Sequence, residues 1–396
     1  MDILIVLILS FLLNQLIFKF LKNRHRFFNS GLMNKLYFYH LLFFLTYFIY
    51  AMYRPSDSKH YYFLSVTQSE YWLDFFDTTT PFITFLAIPF VKLGLSYAGA
   101  MLLFSWFGYL GFVFAYLFFR ENIPYKIKVF GVDFLTLLLF LPNMHFWTAS
   151  LGKGAVIFLG LMMVAYAIKK PLDRWFLLSL GAFLVYMVRP HVMLFVMVGI
   201  TFGYLRGREK INPALKFLVI LLMIGFLAVA SDTILKMVNL ENSENLTEDF
   251  MNYSELQSER LSTSGSGVDM NNYSLPFKFF TFWFRPLFID APNPIGFIIS
   301  FENLLYLLIF FKILNWRFVK FFRKAPYMVK MSGVTFLLAT FALTFLMSNL
   351  GIIMRQKSQV MYFAFFVIYY FLAEQEIYKR YRKEKKLQEN RHLLRI

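Results

Sequence analysis

Long stretches of this chain lack the alternation of polar and apolar positions that marks a half-buried helix or strand. Apolar runs cover about residues 2–20, 36–53, 96–119, 129–142, 153–168, 175–188, 192–205, 217–238, 297–311, 331–349 and 357–373. Runs of roughly 18 apolar residues read as bilayer-crossing helices, and shorter ones between Lys or Arg flanks still span by snorkelling and local thinning. The pattern predicts an all-α integral membrane protein of about eleven transmembrane helices. A further apolar piece at 81–93 starts at Pro81 and holds Pro89 and Lys92, which predicts a re-entrant or interfacial segment.

Composition agrees with that class. Hydrophobic residues make up 59% of the chain and charged residues 16%, against about 25% charged in soluble domains. Mean hydropathy is +0.56. There is no cysteine, which excludes a disulfide framework, a thiolate metal site and a thiol nucleophile. No Gly-rich phosphate loop or soluble domain is present, which argues against nucleotide-sugar chemistry.

Net charge is +17, and its placement matters more than its size. Segments 21–35, 120–128, 169–174, 206–216, 312–330 and 374–396 hold 28 of the 40 basic residues and 7 of the 23 acidic ones. The remainder holds 12 basic and 16 acidic residues. By the positive-inside rule these six segments face the cytoplasm, with the N-terminus outside and the C-terminus inside. The charge is therefore a topology signal and not a nucleic-acid footprint. Met1–Phe20 carries Asp2 and no positive n-region, so it reads as a retained span and not as a signal peptide. Residues 1–373 form one polytopic membrane domain, and 374–396 a basic cytoplasmic tail that reads as a solvated helix beside anionic headgroups.

The outer face is uneven. Two long segments, 54–95 and 239–296, and three short ones, 143–152, 189–191 and 350–356, fall there. Loops of such length are functional or disordered. The first joins Asp57 and His60 to an aromatic set that includes Trp72, suited to an interfacial belt or to stacking on sugar faces. Asp57 follows a span closely and is the first candidate for a general base or a metal-binding carboxylate. In the second, 239–269 is acidic and rich in Ser, Thr and Gly, which reads as a mobile flap. From Leu275 the chain turns aromatic, with Trp283, Arg285 and Asp290 before Pro292, and predicts an interfacial helix running into a rigid turn. Glu302 opens the next span. Intramembrane acids mark a site or an ion pair, and Arg285 is the candidate partner of either acid, Asp290 or Glu302.

Several cations stand on this face against the topological bias: Lys153, Arg189, Arg285, Arg355 and Lys357, with His191 beside Arg189. Such a set implies an anionic ligand. Arg forks and Lys point charges suit phosphate or pyrophosphate, and the natural candidate is a lipid diphosphate of the outer leaflet. The stretch Leu141-Pro142-Asn143-Met144-His145-Phe146-Trp147-Thr148-Ala149-Ser150-Leu151-Gly152-Lys153 reads as a membrane-edge turn with Trp147 in the interface belt and His145 structural.

Five corners carry a family resemblance. They are His145-Phe-Trp-Thr-Ala-Ser150-Leu-Gly-Lys153, Arg189-Pro190-His191, Phe284-Arg285-Pro286-Leu-Phe, Ser300-Phe-Glu302-Asn303 and Arg355-Gln356. Over about 54–360 the chain resembles polytopic, polyprenyl-linked glycan enzymes of bacterial surface-polysaccharide pathways, namely Wzy-type repeat-unit polymerases and GT-C glycosyltransferases. The resemblance implies a GT-C-like or polymerase-like bundle in the bacterial inner membrane. It also implies transfer of a glycan from a polyprenyl-diphosphate donor on the outer face. GT-C enzymes use an acid of an early outer loop as base, often beside a metal. Asp57 holds that place if the first span is an N-terminal addition, and a divalent cation is then the cofactor to test. Polymerases rely on outer arginines and a long outer loop, which matches 239–296.

On this reading Lys153, Arg189, Arg285, Arg355 and Lys357 hold the diphosphate, and Asp57, His191 or Glu302 takes the acceptor proton. Trp72, Trp147 and Trp283 contact the glycan. The partners expected are a polyprenyl-diphosphate-linked oligosaccharide, membrane lipids and proteins of polysaccharide assembly. The competing classes are a transporter or flippase of a lipid-linked glycan or anion, and a non-catalytic component of an envelope assembly. Neither clear inverted repeats nor paired broken helices favour the transporter.

Overall fold

The computed structural model describes residues 1–263, 265–291 and 294–393. Apart from one small hairpin, the regular structure among these residues is helical. The chain opens with α1 (Asp2–Arg24) and α2 (Ser30–Tyr53), then α3 (Asp57–Thr67), a 3-10 segment Ser69–Phe75, α4 (Thr80–Lys92) and α5 (Tyr97–Asn122). Strands β1 (Lys128–Val129) and β2 (Val132–Asp133) lead into α6 (Phe134–Leu139), α7 (Pro142–Thr148), α8 (Lys153–Ala167), α9 (Trp175–Val188), α10 (Pro190–Arg206) and α11 (Pro213–Met237). The rest comprises α12 (Leu246–Ser262), α13 (Leu275–Phe284), α14 (Pro294–Phe311), α15 (Trp316–Arg323), α16 (Tyr327–Leu346) and α17 (Leu350–Leu393).

Local chemistry sets these boundaries. Proline sits in the first turn of α4, α7, α10, α11 and α13, where its missing N–H costs nothing. Asn29, Asn212, Asn245 and Asn315 cap α2, α11, α12 and α15 through their side-chain oxygens. Asp2 accepts from both the backbone N–H (2.8 Å) and the hydroxyl (2.6 Å) of Ser96, which joins the start of α1 to the cap of α5.

Seven helices (α1, α2, α5, α11, α14, α16 and α17) are long and apolar enough to cross a membrane, and the pair α7–α8, bent by 114°, makes up to eight. Three more, α4, α9 and α10, are apolar but of 13, 14 and 17 residues. At 1.5 Å per residue they reach only about 20–25 Å, short of a hydrocarbon core of about 30 Å. The apolar run at 129–142 does not make one helix. Phe130 and Gly131 turn with positive φ between β1 and β2, α6 lasts six residues, and Pro142 starts α7 afresh. The acidic stretch within 239–269 is not a plain loop but contains the 17-residue α12.

Helix α5 is the hub, with 72% of its most apolar window buried, and it packs on α1, α2 and α8. Close approach is built on small residues. A Cβ on Gly160 of α8 would lie 2.9 Å from the carbonyl of Gly181 in α9, and the reverse distance is the same. Gly199 and Gly203 do this service where α10 meets α16. Helix α11 is the opposite case, only 11% buried, with Phe217, Leu221, Ile224 and Val229 exposed. A helix so apolar and so exposed needs an apolar solvent, which a bilayer supplies.

Candidate functional site

Helix breaks bring their flanking residues to one end of the bundle. Arg54-Pro55 ends α2 and places Asp57 at the first residue of α3. The bend at Gly152 starts α8 with Lys153, Arg189-Pro190 separates α9 from α10, and α17 begins close before Arg355. Together with the ends of α11 and α16 and one face of α12 they enclose a cavity of about 760 Å³. That size suits a small-molecule or lipid headgroup site.

One wall is polar. Asp57, Lys153, Arg189 and Arg355 are its ionic groups, with His60, His191, Gln356 and Gln359 beside them. Arg355 donates to the Asp57 carboxylate at 2.9 Å, and its guanidinium lies 5.9 Å from the Trp147 ring centre, which also lines the cavity. Arg189 is buried and donates to the side-chain oxygen of Gln356. Among the described residues Lys153 makes no hydrogen bond or ion pair, and Nε of Arg189, Nε of Arg355 and Nε2 of Gln359 have no acceptor. Three basic side chains thus stand with one carboxylate, with donors in excess of acceptors. The starts of α8 and α10 have no side-chain cap, so their backbone N–H groups and dipoles add to this positive end.

A chain of hydroxyls ties down the residues on either side of Asp57. Tyr47 meets Ser56 at 3.0 Å, Ser56 meets Ser58 at 2.8 Å, and Ser58 meets Tyr97 at 2.7 Å. Burial, and then the Asp57 charge, push the Tyr61 phenol up to about 12, so it serves the cavity as a neutral hydroxyl.

The other wall is apolar, formed by Leu194, Phe195, Ile234, Leu343, Leu346 and Met347. Helix α12 closes it by bridging two helix ends: Tyr253 donates to the Met237 carbonyl of α11 at 3.3 Å, and Ser254 to the Phe345 carbonyl of α16 at 2.7 Å. Backbone bonds from Val268 to Ser348 and from Leu350 to Ser266, each 2.9 Å, fix the segment after α12 to the turn before α17.

Of the eleven residues given a site role from the sequence, Asp57, Trp147, Lys153, Arg189, His191 and Arg355 meet at this cavity, and the other five do not line it. Arg285 pairs with Asp290 and donates to Tyr273 at 3.2 Å. Of its two candidate acids it thus meets Asp290 and not Glu302. Glu302 is buried, accepting from the Asn143 backbone N–H at 2.8 Å and from the Tyr306 hydroxyl. Lys357 is fully buried. It donates to Asn303 (2.7 Å) and to the carbonyls of Arg285 (3.0 Å) and Trp283 (3.3 Å), so it binds the α13–α14 corner to α17. Trp72 donates to the Phe85 carbonyl at 2.9 Å and stacks on that ring, while Trp283 stacks on Phe279 and Phe336. His145 is buried flat against Phe112, with its Nδ1 2.8 Å from that of His40. Sequence reasoning missed Gln359 and the α12 residues Phe250 and Tyr253. Their three-residue spacing, within a stretch read as a flap, was the available signal.

The donor set does not fit a divalent cation. Asp57 is the one carboxylate lining the cavity and is already paired with Arg355. No group of three His, Cys, Asp or Glu side chains stands together among the described residues. Comparison with protein families, curated proteins and solved structures finds no match for this chain.

Proposed function

We propose that this cavity lies at the outer face of a bacterial inner membrane and holds the diphosphate of a polyprenyl-linked glycan, whose glycan it transfers to an acceptor hydroxyl. The observation that supports this best is the unanswered positive charge of Lys153 and Arg189, beside Arg355, in a cavity whose other wall is apolar. A diphosphate head and a hydrocarbon tail match the two walls.

In the transfer, the acceptor oxygen attacks the anomeric carbon and the bond from that carbon to the diphosphate oxygen breaks. The electron pair leaves with the diphosphate, whose growing charge Lys153, Arg189 and Arg355 stabilise. The hydroxyl proton passes to Asp57, with His191 the second basic group in the cavity. Arg285, Glu302 and Lys357 support the surrounding corners and do not touch the donor.

The test uses purified protein in lipid nanodiscs with a polyprenyl-diphosphate oligosaccharide and an acceptor glycan. Wild type should give the extended glycan, and Arg189→Ala and Lys153→Ala should each lower transfer at least tenfold with unchanged protein yield. Donor binding without any transfer by wild type, or full transfer by both variants, overturns the proposal.

A further inference from the structure

A second cavity stands apart from the first. Helix α1 packs on α5 and α9 packs on α8, with no extended contact between α1 and α9. The gap between them is a cleft of about 540 Å³ at the end where the basic segments 21–35 and 169–174 lie. Its walls are almost entirely apolar, and Phe20, Trp175 and Phe176 are 60%, 66% and 61% exposed. The cleft therefore opens sideways, to the medium that surrounds the bundle.

Charge is confined to its mouth, where Arg24, Asp173 and Arg174 line it. Arg174 is paired within the protein: it donates to both Glu121 oxygens at 2.8 Å and to the Tyr166 carbonyl at 2.9 Å, and stacks 3.8 Å from the Tyr166 ring centre, with only its Nε lacking an acceptor among the described residues. Arg24 and Asp173 are different. Both are exposed and both line the cleft, yet neither side chain makes a hydrogen bond or ion pair among the described residues, and they stand more than 4.0 Å from each other. An apolar cleft thus ends in one free cation and one free carboxylate, set apart.

We propose that this cleft binds a zwitterionic phospholipid, with its phosphate on Arg24, its primary ammonium on Asp173 and its acyl chains along α1, α5, α8 and α9. A headgroup with both charges answers both side chains at once. A purely anionic headgroup leaves Asp173 opposed, and a quaternary ammonium has no N–H to donate to it. The indole of Trp175 at the mouth suits the interface between headgroup and chains. The site is independent of the glycan-transfer reading.

The test is native mass spectrometry of the full-length protein in detergent, titrated with phosphatidylethanolamine, phosphatidylglycerol and phosphatidylcholine of identical chains. Wild type should retain phosphatidylethanolamine about tenfold better than either other lipid. Arg24→Ala should weaken all three. Asp173→Asn should remove the preference for phosphatidylethanolamine over phosphatidylglycerol while phosphatidylglycerol binding is kept or improved. Both substitutions are at exposed positions, so folding is not at stake. Equal binding of the three lipids by wild type, or an unchanged preference in both variants, overturns the proposal.

Discussion

Replacing Asp57 by asparagine separates two properties of the cavity that would otherwise fall together. The Asp57–Arg355 pair is formed at 2.9 Å by side chains 63% and 37% exposed. Exposed pairs of this kind contribute about 0–1 kcal/mol, and an acid in the first turn of a helix about 0.3–1 kcal/mol more. Ser56 still caps α3, so Asp57→Asn should lower stability by less than about 2 kcal/mol and leave the fold intact. For an anion the change is favourable. A carboxylate about 8 Å from a ligand charge repels it by about 2 kcal/mol at an effective dielectric of about 20, an upper bound that solvent reduces. Affinity for a polyprenyl diphosphate should therefore rise roughly threefold to thirtyfold as Arg355 is released. Transfer should move the other way, falling about 10²- to 10⁴-fold with the loss of the proton acceptor. Binding is read by thermophoresis in nanodiscs, and transfer by chromatography of the labelled acceptor under single-turnover conditions. Weaker anion binding in the variant refutes the electrostatic reading, and undiminished transfer refutes the role of Asp57 as base.

Lys357→Met should lower thermal stability in detergent by about 2–5 kcal/mol, because Asn303 and two backbone carbonyls lose their buried donor; a melting curve equal to wild type would contradict this. Gly108→Ala should destabilise by about 1–3 kcal/mol, since a Cβ there collides with the Thr148 carbonyl where α5 meets α7, and unchanged denaturant unfolding would refute it. Burial pulls the Asp133 carboxyl up, but hydrogen bonding and charge from Arg120 outweigh it and hold the group below the ordinary carboxylate range. A carboxyl lowered in the fold gives stability that is complete above its unfolded pKa and is lost as pH falls through the folded one. Melting temperature should thus drop in acid below about pH 4, and Asp133→Asn should flatten that drop while lowering stability at neutral pH.

Much of the cavity was legible because helices break at proline and glycine, and charges at such breaks have few places to go. Asp57 after Arg54-Pro55, Lys153 after Gly152 and Arg189 before Pro190 each stand at a break, and the two cations also run against the charge bias of the segments around them. Residues within a helix were harder to place. Ser300-Phe-Glu302-Asn303 shows that an acid enters an apolar run, but not the direction in which it points. Glu302 turns to Asn143, 159 positions away. Arg285 had two candidate acids, and composition does not reveal that the chain turns back to bring Asp290, five residues on, to the guanidinium that also meets Tyr273. The count of spans was least legible, since apolarity alone does not distinguish a crossing from the hairpin and short helix at 128–139. In α12, few apolar residues hid a helix whose partners are the ends of α11 and α16.

One helix, α17, carries Arg355, Gln356 and Gln359 at one end and runs unbroken to Leu393, 44 residues or about 66 Å. The cavity wall and the tail are therefore two points on one shaft, with no hinge between them to absorb torsion. Removing a single residue between Glu374 and Tyr378 leaves the cavity end in register but turns everything beyond it by about 100°. The rotational phase of Tyr378, Arg380 and Arg382 relative to the bundle can thus be dialled by deletion alone, which makes the shaft a built-in protractor for any protein that grips its far end.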